Sequence, residues 1–209
     1  MAYKKSLLAA CLFFLVLPLF AQEKVEIERK IAKEEVPDAA LSWFEDAYER
    51  VGRVRWYLEE GSDGRSYEAK LKWKGHLHSV EFDSTGVIED IETRISQNDV
   101  PTAVLEKLRN YFEVHYERYR IRKIQRQWIG SPEDLEDAID EGEVEEVKTR
   151  YEIEFYGKTT SGKELWEGLF DEHGVLIRRR VVNLRPKTKP PALPPFRGTA
   201  TPGVHGGSG

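Results

Sequence analysis

The chain has 209 residues, 40% of them hydrophobic and 33% charged, with a net charge of −5. That composition suits one or two small globular domains and excludes a fibrous or low-complexity protein. A net acid also lacks the basic footprint of nucleic-acid-binding proteins, so no nucleic-acid partner is expected.

The start of the chain reads as an export signal over residues 1–21. MAYKK is a short basic segment, SLLAACLFFLVLPLF is apolar and broken by Pro18, and Ala21 is the small residue before the expected cleavage. The apolar run is shorter than the roughly 20 residues of a spanning helix, so no membrane span is expected once it is removed. Leu8-Ala9-Ala10-Cys11 also fits a lipoprotein box, but Cys11 precedes most of the apolar run, which disfavours lipidation there. Cys11 is the only cysteine. An exported chain without it has no disulfide, no thiol chemistry and no cysteine metal site. The location implied is periplasmic or secreted.

Residues 22–35 are charged, with Val25, Ile27 and Ile31 weakly periodic, and read as either a first strand or a frayed helix. Val36-Pro37 then opens a helix, since proline is tolerated where its missing N–H is not needed. Leu41, Phe44, Tyr48 and Val51 follow at helical spacing. Strands are expected over 53–59, 67–73, 76–83 and 87–95, separated by Gly61-Ser62-Asp63-Gly64, Lys74-Gly75 and Ser84-Thr85-Gly86. In the second of these, Tyr67, Ala69, Leu71 and Trp73 alternate with Glu68, Lys70, Lys72 and Lys74, the pattern of a strand with one apolar and one charged face.

The same order then recurs. Val100-Pro101 opens a helix carrying Val104, Leu108, Tyr111, Phe112 and His115, and strands are expected over 119–128, 147–157, 163–171 and 175–184. FDSTGVI at Phe82 returns as FDEHGVL at Phe170. The expected fold is therefore α+β: two tandem repeats, 36–95 and 100–184, each a helix and four antiparallel strands, sharing one extended sheet surface. Units of that size are marginal alone, which favours a shared sheet. The insert 131–147 holds acids at nine positions and no base, and reads as a solvated loop with at most one helical turn around Leu135 to Ile139. Residues 186–209, rich in proline and then glycine, read as a disordered tail.

These motifs resemble a known family. VP-x-A-[AV]-L opens each helix, Y-E-x-x-[LF] lies on a strand of each half, and F-D-x-x-G-V-[IL] marks each last hairpin. In that order they are similar to the PepSY-like proteins, also described as beta-lactamase-inhibitor-like, over Val36 to Leu184. The resemblance implies an exported bacterial protein with a helix against an antiparallel sheet in each repeat. Relatives in the wider group bind or inhibit enzymes such as peptidases or beta-lactamases. No catalytic residue comes with it, and the acidic insert departs from the pattern.

Few residues pattern for chemistry. His76 and His78 share a strand face and could chelate a metal beside a carboxylate, but ordinary sheet histidines are the better account, and no metal or other cofactor is expected. Asp83 with Glu89, or Asp171 with Glu172, could be drawn into acid–base catalysis; turn aspartates bonding their own turns explain them more simply. No nucleophile elbow, phosphate loop or dinucleotide fingerprint is present, so the chain reads as a non-enzyme. The candidate partner surface is the polar face carrying Arg53, Arg55, Tyr57, Lys70, Lys72 and Lys74, which would suit an acidic exported protein. The alternative is a periplasmic binder of a small ligand or metal ion.

Overall fold

This computed structural model describes residues 27–61 and 64–182. The export signal, Cys11, the start of the charged segment, Ser62-Asp63 and the tail lie outside the described residues.

Alternating apolar residues build nine strands: β1 (Ile27–Ile31), β2 (Arg55–Gly61), β3 (Gly64–Trp73), β4 (His76–Phe82), β5 (Ile88–Ile95), β6 (Arg118–Ile129), β7 (Lys148–Thr159), β8 (Gly162–Asp171) and β9 (Leu176–Val181). They form one sheet in sequence order, antiparallel throughout. The charged segment thus resolves as an edge strand, followed by a short 3-10 turn at Lys33–Glu35. The two halves of the sheet join through β5 and β6, with Ile91 opposite Trp128 and Ile95 opposite Ile124. That continuous pairing is how the small halves escape the marginal burial each would have alone.

Three helices cover one face: α1 (Asp38–Ala47), α2 (Thr102–His115) and α3 (Pro132–Asp140). Pro37 and Pro101 stand just ahead of α1 and α2, as their lack of an N–H favours. Phe44, Tyr48, Trp56, Leu58, Val80, Phe82 and Ile91 form the core beneath α1, which α3 completes with Leu135, Ala138 and Ile139. Val104, Leu108, Phe112, Ile153, Phe155, Trp166 and Phe170 form the core beneath α2.

Two expectations are corrected here. The acidic insert is not all loop: its first part folds as α3, which packs beside α1, and Trp43 Nε1 donates to the Pro132 carbonyl at 2.8 Å. His115 is exposed rather than core-facing; its ring stacks on Tyr111, 4.4 Å between centroids, at the end of α2.

The two F-D-x-x-G hairpins are built alike. Asp83 Oδ1 accepts from the N–H groups of Thr85 and Val87, and Asp171 Oδ1 from those of His173 and Val175, at 2.8–2.9 Å. Gly86 (φ 90°) and Gly174 (φ 78°) occupy the left-handed region that favours glycine. A register shift sits beside each buried phenylalanine, at Glu81/Phe82 and at Leu169/Phe170. Both aspartates are committed to their turns, as turn chemistry alone requires.

Candidate functional site

Helices occupy one face of the sheet, so the side chains of opposite parity define the candidate site. They line a trough of about 960 Å³, including Arg55, Glu68, Lys70, Glu81, Asp90, Glu92, Lys123, Gln125, Glu152 and Arg180.

The sequence-predicted residues divide. Arg55, Tyr57, Lys70 and Lys72 fall on this open face. Arg55 pairs with Lys70 across β2 and β3, and Lys72 lies opposite Leu77, which lines the trough. Lys70 Nζ lies 4.8 Å from the centre of the Tyr57 ring. It is not a free charge: it lies 2.7 Å from Glu68 and 3.2 Å from Glu28. Burial works against its charge, but Glu68 and Glu28 outweigh that and hold the ammonium above the ordinary lysine value. Lys72 and Arg55 are exposed. Arg53 precedes β2 and is exposed. Lys74 is not on the open face. Its positive φ of 44° in the β3–β4 turn breaks the alternation, and its Nζ donates to the Ile139 carbonyl of α3 at 3.2 Å.

Alternation also misplaces the acids. Glu68 was expected on a solvated face, yet it is 4% exposed, with Ser79 Oγ donating to it. Glu92 and Gln125 are 8% and 7% exposed, and Gln125 Nε2 donates to Glu92. Gln127 Nε2 donates to Asp90 at 2.8 Å. The middle of the open face is therefore an inlay of carboxylates and amides, rimmed by Arg55, Arg94 and Arg178.

That inlay sets unusual charge states. Burial pushes Asp90 up to about 7; the Gln127 hydrogen bond and Arg150 oppose the rise, while Glu89 and Glu68 add to it. Burial raises Glu92 well above the usual carboxylate range, and Glu152, Glu81 and Asp90 add to it against Lys123. On the other face, burial lowers His78 to about 4, so it stays neutral. Its Nδ1 meets Tyr48 Oη at 3.0 Å. This packing partner, with exposed His76 as neighbour, explains His78 as a core histidine.

A pH prediction follows from Asp90. An unfolded aspartate titrates near about 3.9. Between that value and about 7 the folded chain holds the proton that the unfolded chain releases. Asp90 therefore contributes stability that is fully present below about pH 4 and lost as pH rises through 7. His78 has the opposite slope: its contribution is present above about 6.5 and lost as pH falls through about 4. The expected result is a difference in Tm between Asp90→Asn and the parent that grows in favour of the variant from pH 4 to pH 8. Thermal unfolding in metal-free buffer measures it, and a constant difference would contradict the buried-carboxylate account.

The class of protein is thus an α+β fold with one open, nine-stranded antiparallel sheet and helices on one side only. No family model matches the chain, and no curated protein matches it. Solved structures do. A DUF2874 family protein from Bacteroides ovatus is 15% identical, with a TM-score of 0.50 over 70% of this chain and 87% of that one. A BLIP-like protein from Bacteroides fragilis is 18% identical, with a TM-score of 0.47 over 76% of this chain and 94% of that one. At such identity the first of these likenesses is one of fold alone. The resemblance to the PepSY-like proteins rests on the sequence motifs alone. Among the described residues no helix is long and apolar enough to cross a membrane.

Proposed function

We propose that this chain is an exported, non-catalytic binding module that holds another envelope or secreted protein against the open face of its sheet. The observation that carries the reading is the asymmetry of the sheet: helices and both cores on one side, a polar trough of about 960 Å³ on the other. Such a concave polar face can present a charged pattern that selects a partner. Export is read from the basic and apolar opening of the sequence. The two halves are read as copies of one helix-plus-four-strand unit, a reading supported by the matching F-D-x-x-G turns.

Within this reading Arg55 and Lys72 are the outward charges that meet an acidic partner, and Tyr57 supplies the neighbouring ring. Lys70 serves from within, tied to Glu28 and Glu68. Captured from an envelope fraction, a specific protein partner is expected on the parent chain and at least tenfold less of it on Arg55→Glu/Lys72→Glu. Both positions are exposed, so the double variant should keep its stability to within about 0.5 kcal/mol per site. Equal retention on both baits would move the contact off this face, and no retained protein on either would refute a protein partner.

A further inference from the structure

The join between β5 and β6 sets a row of three polar side chains on the helix-bearing face. His78 on β4 pairs with Thr93 on β5, and Thr93 pairs with Arg126 on β6. Residues directly opposite in an antiparallel ladder have Cβ atoms about 4.5–5.5 Å apart, so these side chains are neighbours. Leu71 of the core beneath α1 stands at one end of the row, and Tyr151 of the core beneath α2 at the other. His78 is already accounted for by Tyr48. Thr93 and Arg126 are not. Thr93 is 3% exposed, and its Oγ1 has no hydrogen-bond partner among the described residues. Arg126 is half-buried with its Nε sealed from solvent, and its guanidinium forms no ion pair or hydrogen bond among the described residues.

The guanidinium is presented rather than neutralised. It lies 4.4 Å from the centre of the Trp128 ring, which covers one of its flat faces and leaves the N–H edge. Asp99 acts on it only through space, and Asp99 Oδ2 already accepts from the Ser96 N–H and Oγ. Burial pulls Arg126 below the ordinary arginine value, against Tyr151 and Asp99. The other charges that reach this row are basic: His76 and Lys74 act on His78 together with Arg126. Trp73, opposite His76 on the same face, keeps its Nε1 N–H sealed and unpartnered as well. Buried donors without acceptors are costly, and a buried charge needs a partner. Here the groups that lack one are a cation and its N–H, a hydroxyl and an indole N–H.

We propose that Arg126 and Thr93 form a binding site for one carboxylate group, in the seam where the two halves of the sheet join. A guanidinium edge gives a carboxylate two parallel N–H donors, and the Thr93 hydroxyl can donate to a remaining lone pair. The charge present decides the class. Arg126 supplies one full positive charge; His78 is neutral, and Lys74 Nζ is already donated to the Ile139 carbonyl. One negative charge balances that. A phosphate group carries about −1.5 to −2 at pH 7 and would need a second cation. A small carboxylic acid and the carboxylate of a peptide segment share this chemistry. The site lies on the face opposite the polar trough, so it stands whether or not a protein binds there.

Titration of the chain with sodium acetate and with N-acetylglycine at constant ionic strength tests this, read by two-dimensional NMR of backbone amides and arginine Nε–H groups. Both are expected to shift the Arg126 Nε–H and the Thr93 amide saturably, at one site per chain, with a Kd on the order of 10⁻³ M or tighter. Whichever binds tighter tells a small acid from a chain end as the source. Neutral N-acetylglycinamide and sodium chloride should leave both signals in place. Arg126→Gln should weaken binding at least tenfold and Thr93→Val at least threefold, read on the backbone amides. The ligand-free Tm of Arg126→Gln should match or exceed the parent's, because an unpaired buried charge is removed. Thr93→Val keeps the side chain's shape and carries the test should the arginine variant not fold. Arg118→Gln, at the exposed start of β6, should leave affinity within twofold. No saturable shift up to roughly 100 mM of either carboxylate, two orders above the expected Kd, would overturn the proposal. An equal response to chloride, or tighter binding of sodium phosphate, would overturn it as well. So would a lower ligand-free Tm in a folded Arg126→Gln, which would mean that the guanidinium has its partner within the fold.

Discussion

Phe112→Ala should lower the stability of the fold by about 3–5 kcal/mol, the largest loss expected from a single side chain. Phe112 is completely buried on the inner face of α2. Its ring meets Phe155 edge-on at 4.6 Å, stacks on Tyr119 at 4.9 Å and reaches Phe170 at 6.0 Å. Those partners come from β7, β6 and β8, so one ring ties a helix to three strands. Aromatic pairs of this kind contribute about 0.5–1.5 kcal/mol each beyond area burial. The cavity cannot close cheaply, because its walls belong to separate elements fixed by the sheet ladder. Domains of this size have about 5–15 kcal/mol in all, so a large share of the margin would go. Urea denaturation should show a lower midpoint with an unchanged slope. Phe112→Leu, which keeps most of the volume, should cost clearly less; equal small losses for both would mean that the core beneath α2 is not built around this ring.

What could be read from the sequence was local. Period-two alternation located the strands around Trp56–Leu58 and Ala69–Leu71, helical spacing located Phe44 and Phe112, and the two prolines located the helix starts. Aspartate and glycine at fixed spacing located the turns at Asp83 and Asp171. What could not be read was set by pairing between distant strands. Glu68 and Glu92 alternate outward like any solvated acid. They are buried because Ser79 and Lys70 close over one, and Gln125, from beyond α2, closes over the other. The one available signal was the pair Gln125 and Gln127, amides at strand parity in an otherwise basic strand. Its meaning needs the β5–β6 register, which places Gln127 opposite Glu92 and Gln125 opposite Arg94. Lys74 shows the reverse failure: strand parity assigned it to the lysine face, and one left-handed turn residue removed it.

The acidic insert gives the second large effect. Leu135→Ala should cost about 3–5 kcal/mol, because Leu135 is completely buried among the residues of the core beneath α1. A helix of nine residues is marginal in isolation, so tertiary packing must hold α3. Its start is well made. Ser131 Oγ accepts from the Asp134 N–H, Asp134 Oδ2 accepts from Ser131 in return, Pro132 takes the first turn, and Glu133 and Asp134 oppose the positive end of the helix dipole. At the other end Lys74 Nζ meets the Ile139 carbonyl. Composition hid all this: nine acids disguise an i, i+3, i+4 stripe of Leu135, Ala138 and Ile139. Asp140→Ala is the matched control. It is exposed at the negative end of the same helix, so its loss should be neutral or slightly stabilising, within about 0.5 kcal/mol. Urea midpoints for the two variants separate the alternatives. A several-fold larger loss at Leu135 makes the insert part of the core, and equal small effects at both positions would return it to solvent.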